Sequence, residues 1–92
     1  MEKLEWETID EILLKLAERV KILRKRKKLS QSELAKISGV SFGSIKRFEN
    51  QGEISLKSLA KIAKSLSCLD EIRKLFTNVQ YLSIEEVINE SK

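Results

Sequence analysis

The tightest constraint on this chain is the stretch from Leu29 to Gly52, LSQSELAKISGVSFGSIKRFENQG. Almost every position in it has a local structural reason. Ser30 with Glu33 forms a capping box, in which the serine oxygen and the carboxylate each take a backbone N–H that an isolated helix start leaves unpaired. Leu34, Ala35 and Ile37 give this first helix a small apolar face. Gly39 falls where the chain must reverse, with positive φ at the helix end, a conformation that costs glycine little. Val40 then fills the gap between two helices, and Ser41 caps the second. Ile45 and Phe48, three apart, point inward, which leaves Phe42, Gly43, Ser44, Lys46 and Arg47 on the opposite face. The stretch predicts two short helices joined by a tight turn.

Around it the chain is free to be helical. There is no proline, and the three glycines (Gly39, Gly43, Gly52) all lie inside or at the edge of the central stretch. No run shows the β-branched alternation of strands, so the expected class is all-α, and 92 residues suffice for one modest core. Thr8 with Glu11 predicts a capped first helix over about Ile9–Lys28, with Ile9, Ile12, Leu13, Leu16, Val20 and Leu23 as its stripe, widened by Leu14, Ala17 and Ile22. A loop, Glu53-Ile54-Ser55, leads to a helix over about Leu56–Leu66. Leu56, Leu59, Ala60, Ile62, Ala63 and Leu66 form its buried face, and Lys57, Lys61 and Lys64 its outer one. Ser67 with Asp70 predicts a cap for a helix over Leu69 to about Thr77, burying Leu69, Ile72, Leu75 and Phe76. Past Asn78-Val79-Gln80, Tyr81 and Leu82 precede Ser83 with Glu86, a capping box for a last short helix or turn. Its Ile84, Val87 and Ile88 require a surface: the domain itself, a second copy or another protein. The expected division is 1–15 as an extension of the first helix, 16–77 as the central domain and 78–92 as a docking or dimerisation tail.

Charge is segregated along the chain. Residues 15–64 hold 14 Lys/Arg against 4 Asp/Glu, whereas the two flanks hold 4 against 10. A basic centre of this kind is the footprint of a polyanionic partner. The run Arg24-Lys25-Arg26-Lys27-Lys28 complements the dipole at the end of the first helix, as Asp10 and Glu11 do at its start. It is either a solvated helix terminus or a set of phosphate contacts, for which Arg24, Lys25, Lys27 and Lys28 are the candidates. Cys68 is the only cysteine and there is no histidine, which removes disulfides, Cys/His zinc sites and Cys–His or Ser–His nucleophile pairs. Without paired carboxylates in a cleft or a glycine-rich phosphate loop, no enzyme is expected, and no cofactor or metal. Cys68 among Leu66, Leu69 and Ile72 reads as a small buried hydrophobe. No secretory leader, lipidation signal or long apolar run is visible, so a cytoplasmic location is expected.

A short helix with a thin core stripe and a protruding basic face suits insertion into a DNA major groove. The spacing of LSQSELA, the GVS turn, IKRFEN and LKSLAKIAKSL resembles the Xre family, the Cro/lambda-repressor-type helix-turn-helix regulators, from about Leu16 to Phe76. The resemblance implies a five-helix lambda-repressor-like domain, here with an extended first helix and a short C-terminal helical extension. It also implies a dimeric, autoregulating repressor of double-stranded operator DNA. Carried over by position, Phe42, Gly43, Ser44, Lys46 and Arg47 would read bases, and Gln31, Ser41 and Asn50 would contact the DNA backbone. Phe42 and Gly43 depart from the polar side chains many members carry there. Phe42 could meet a thymine methyl or pack against Ile37 or Ile45, and Gly43 could allow close approach or reduce readout. Lys46 and Arg47 become the leading base readers, Arg47 with a fork that matches guanine. The stretch KRFENQGEISLKSLAKIAKSL, followed by LDEIRKLF and a serine-led acidic tail, is similar to a subgroup of HipB-type antitoxins. That resemblance implies a HipA-type kinase toxin as a further partner. Trp6, Tyr81, Leu82, Ile84, Val87 and Ile88 are the candidates for a dimer or partner interface. A dimer would use either helix 5 with the Tyr81–Ile88 segment, or the Leu4/Trp6/Ile9/Leu13 edge.

Overall fold

Among the described residues, four of the five helices begin at a hydroxyl side chain that accepts a hydrogen bond from the first turn. The computed structural model describes residues 6–78, and in them the order is α1 (Ile9–Arg26), α2 (Gln31–Ser38), α3 (Phe42–Gln51), α4 (Leu56–Ser65) and α5 (Leu69–Arg73), with no strand. Thr8, Ser30, Ser41 and Ser55 cap α1 to α4. At Thr8 and Ser30 both halves of the capping box form: the Thr8 N–H donates to Glu11 Oε1 at 2.9 Å and the Ser30 N–H to Glu33 Oε1 at 2.7 Å. Each such cap is worth about 1 kcal/mol.

The core lies where α2, α3 and α4 meet the second half of α1. Leu34, Val40, Ile45, Ile62 and Leu66 form one buried cluster, with Val20, Leu23 and Leu29 packed against it. Ala17 and Phe48 are also buried. Val40 fills the turn between α2 and α3 as expected, and Gly39 ends α2 at φ 78°. Gly52 ends α3 at φ 75° and lies against α1. A Cβ there would stand 3.1 Å from the Leu13 carbonyl carbon and 3.2 Å from the Leu14 nitrogen. A side chain there would push the end of α3 and the α1 backbone apart by a few tenths of an ångström.

Several expectations are corrected. The stripe of α1 is thinner than its periodicity suggests: Ile9, Ile12, Leu13, Leu14 and Ile22 are exposed, because the core covers only the later turns. The helix ends at Arg26, not Lys28, since Lys28 turns left-handed at φ 60°. Its N–H bonds to the Lys25 carbonyl at 2.9 Å, and the Leu29 N–H to that of Arg24 at 3.2 Å, the bond pair of a Schellman ending. The same ending closes α4. Ser67 is at φ 63°, its N–H bonds to the Lys64 carbonyl, and the Cys68 N–H reaches the Ala63 carbonyl at 2.8 Å. Ser67 therefore terminates α4 instead of capping α5. Cys68 takes the cap position without a side-chain bond, and α5 stops at Arg73. Leu75 and Phe76, expected to be buried, are exposed, as are Leu56 of α4 and Ile37 of α2. The expected Ser83–Glu86 cap and the apolar residues of the tail lie outside the described residues, as does Leu4.

Candidate nucleic-acid interface

The burial of Ile45 and Phe48 fixes which side of α3 faces out. Phe42, Gly43, Lys46, Arg47 and Asn50 are exposed there, and Ser44 is half-buried. The serines are partly committed to the cap. Ser41 Oγ accepts the Ser44 N–H at 3.1 Å while its own hydroxyl donates to Ser44 Oγ at 2.8 Å. Gly43 has nothing within 4 Å of a would-be Cβ, so packing does not demand a glycine there. Its absence of side chain leaves backbone open on the outer face. Phe42 keeps 46% of its surface exposed, so packing on Ile37 or Ile45 does not bury it.

A buried ion pair sets the angle of α3 against α1. Arg24 Nε and Nη2 donate to the two Glu49 oxygens at 2.7 and 2.9 Å, and Arg24 Nη1 donates to the Leu29 carbonyl at 2.7 Å. The Arg24 and Glu49 side chains are 8% and 2% exposed. Gln31 Nε2 adds a bond to Glu49 Oε1 at 2.8 Å, which brings in the start of α2. Burial pushes the Glu49 carboxyl up. The bonds from Arg24 and Gln31, with the charges of Arg24 and Lys21, outweigh that and hold it below the usual carboxylate range. Arg24, expected among the phosphate contacts, thus faces inward with a bond from each of its three nitrogens. Its charge belongs to the brace between α1 and α3. Gln31 is half-buried and also bound to the brace through one N–H.

The remaining basic side chains are outside. Lys25, Lys27 and Lys28 are exposed at the end of α1, immediately after a residue bonded to α3, and Lys46 and Arg47 are exposed on α3. Arg47 is not free: its Nε and Nη2 donate to Glu53 Oε1 at 3.0 and 2.6 Å. Neither Glu49 nor Glu53 emerged from sequence reasoning. Glu49 lies far along the chain from Arg24, and no local pattern announces the pair. Glu53 was visible only as an acidic residue in the loop after Gly52.

Away from α3 the surface carries apolar patches among its charged residues. A cleft of about 550 Å³ runs between α1, α4 and α5, lined by Leu16, Val20, Leu23, Leu59, Ile72 and Leu75 among others. Cys68 lines it too, half-buried, with burial as the main cause pushing its thiol up. Trp6 is 78% exposed. Tyr81, Leu82, Ile84, Val87 and Ile88 lie outside the described residues. Among the described residues no group of His, Cys, Asp and Glu could hold a metal ion, and no helix is long and apolar enough to cross a membrane. Compared with known proteins, residues 20–68 match the family model described as helix-turn-helix. No curated protein and no solved structure matches the chain.

Proposed function

Since the chain belongs to the Xre-type helix-turn-helix family of DNA-binding regulators, we propose that it is a dimeric repressor that inserts α3 into the major groove of its operator. Residues 16–77 act as the DNA-binding unit and 78–92 as a docking or dimerisation tail. The observation that carries this reading is the outer face of α3. Lys46 and Arg47 stand exposed on a helix whose start is capped by Ser41 and whose angle is braced by the buried Arg24–Glu49 pair. A recognition helix must present its side chains from a rigid seat, because base contacts demand fixed geometry. Lys46 and Arg47 read base edges, with Phe42, Gly43 and Ser44 at the entry of the helix. Lys25, Lys27 and Lys28, with Gln31, Ser41 and Asn50, anchor the phosphates. In a dimer on a pseudo-palindrome the two α3 helices lie about 34 Å apart, one turn of DNA.

The division between readers and anchors has distinct signatures. Arg47→Ala is expected to lose roughly 1–3 kcal/mol of specific affinity and to relax sequence choice. Lys25→Ala with Lys27→Ala weakens binding to all sequences and reduces the slope of log affinity against log salt by about 2 per protomer, or about 4 for a dimer on its site. Fluorescence anisotropy on specific and random duplexes over a salt series separates the two. If both variants changed affinity and salt slope alike, the assignment of α3 as the reading element would be wrong.

A second reading is favoured by the apolar surface remote from α3. The cleft between α1, α4 and α5 and the exposed Ile9, Ile12 and Leu13 offer contact area that DNA does not use. An antitoxin of the HipA-type pair would bind its toxin through such a surface and use DNA for autoregulation. Co-purification with a kinase-like partner encoded next door supports that reading, and a clean pull-down leaves the repressor alone.

A further inference from the structure

The contact between Arg47 and Glu53 uses only one edge of the guanidinium. Glu53 Oε1 accepts from Nε at 3.0 Å and from Nη2 at 2.6 Å. Arginine carries five N–H donors in a planar fork, so this arrangement leaves the Nη1 N–H groups and the second Nη2 N–H unspent. Those form the end-on fork, the edge that matches guanine O6 and N7. The pair is open to solvent, with the two side chains 64% and 58% exposed, so the fork is not occluded by the fold. Glu53 stands just past Gly52, whose left-handed turn directs the chain out of α3 and whose contact with α1 fixes where the next residue emerges.

We propose that Glu53 is a positioning residue for sequence readout, clasping the inner edge of Arg47 so that its outer fork is presented to a guanine. This deepens the reading of Arg47 as a base reader and rests on it. An unclasped arginine on an exposed helix samples many rotamers and must lose that freedom on binding the correct sequence. It also finds phosphates on any sequence with equal ease. The clasp therefore acts on the ratio of specific to random affinity more than on affinity itself. Glu53 carries a negative charge near DNA, and removing it raises affinity for all duplexes alike, an effect that cancels in that ratio.

The test uses the full chain and duplexes that the wild-type protein selects from a random-sequence pool, each measured beside a scrambled duplex of equal composition. Glu53→Ala is expected to lower the selected-to-scrambled ratio about tenfold, a portion of what a bidentate arginine–guanine contact supplies. Arg47→Ala lowers it at least as far. In the Arg47→Ala background the Glu53→Ala change moves the ratio less than about twofold, because the two residues act as one unit. Thermal unfolding of each variant guards against a folding defect, which neither exposed side chain is expected to cause. A ratio that Glu53→Ala leaves intact, or lowers equally with and without Arg47, overturns the clasp while leaving Arg47 as a reader. A ratio that Arg47→Ala itself leaves intact overturns the base-reading assignment beneath it.

Discussion

Replacing Glu49 by alanine is expected to cost about 3–5 kcal/mol, because it strands the Arg24 guanidinium in a buried site without its counter-charge. Against a total of roughly 5–15 kcal/mol for a domain, that removes between about a fifth and all of the stability. The size follows from the geometry. Arg24 is 7% exposed and its guanidinium gives two bonds to Glu49 at 2.7 and 2.9 Å. After truncation the neutral Leu29 carbonyl is the one acceptor left to Arg24, and Gln31 loses its acceptor as well. The double change Arg24→Met with Glu49→Leu removes both charges together and is expected to recover most of the loss, since matched apolar replacements of buried pairs are often neutral. Urea unfolding of the three proteins measures this directly. Equal instability of the single and double variants would show that shape, not charge pairing, is what the site needs.

The same pair dictates a pH dependence. The Glu49 carboxyl is held below the usual carboxylate range in the folded protein, so folding is favoured while it is ionised. That stability is fully present above the ordinary titration range and is lost as pH falls through the lowered folded value. The double variant lacks this contribution and is expected to lose less stability between neutral and strongly acid pH than the wild type does.

The second large effect is at Gly52. Alanine there meets two separate costs: the left-handed backbone, about 1–2 kcal/mol for a residue with a Cβ, and crowding against the α1 backbone. A Cβ 3.1 Å from the Leu13 carbonyl carbon faces main chain that cannot swing aside, and forced overpacking costs roughly 1–3 kcal/mol more. Gly39 supplies the control. Its φ of 78° is nearly the same as the 75° of Gly52, but nothing lies within 4 Å of its would-be Cβ. Gly39→Ala is therefore expected to lose the conformational part alone. Chemical unfolding of both variants gives the difference, which measures how tightly α3 seats on α1. Equal losses would mean that the seat adjusts by a few tenths of an ångström at no cost.

Much of this architecture is legible in the residues themselves, where the controlling interactions are local. Ser30 with Glu33, Thr8 with Glu11, and Gly39 before Val40 and Ser41 each act within one turn of chain, and the structure places them as their chemistry requires. The buried side of α3 follows from Ile45 and Phe48 for the same reason. Long-range pairings are not legible. Arg24 sits in a run of five basic residues that look alike in one dimension, and only the position of Glu49 in the folded chain singles it out. Arg47 likewise acquires its partner through the turn at Gly52. Helix endings misled where the left-handed residue was not glycine: Lys28 and Ser67 close α1 and α4 with backbone bonds that any side chain permits at some cost. The apolar periodicity that continued through Leu75 and Phe76 found no cover for them among the described residues. Apolar spacing says that a face wants burial, not what buries it.

Whether the protein represses its own gene is decided by titrating it onto labelled duplex from just upstream of that gene, beside a scrambled duplex, at several salt concentrations. Tight binding to the upstream DNA, two protomers per site, a steep loss of affinity with salt, and far weaker binding to the scrambled sequence are expected of an autoregulating dimeric repressor. Equal weak binding to both, with no preferred stoichiometry, would contradict an autoregulating dimeric repressor and move the toxin-holding role to first place.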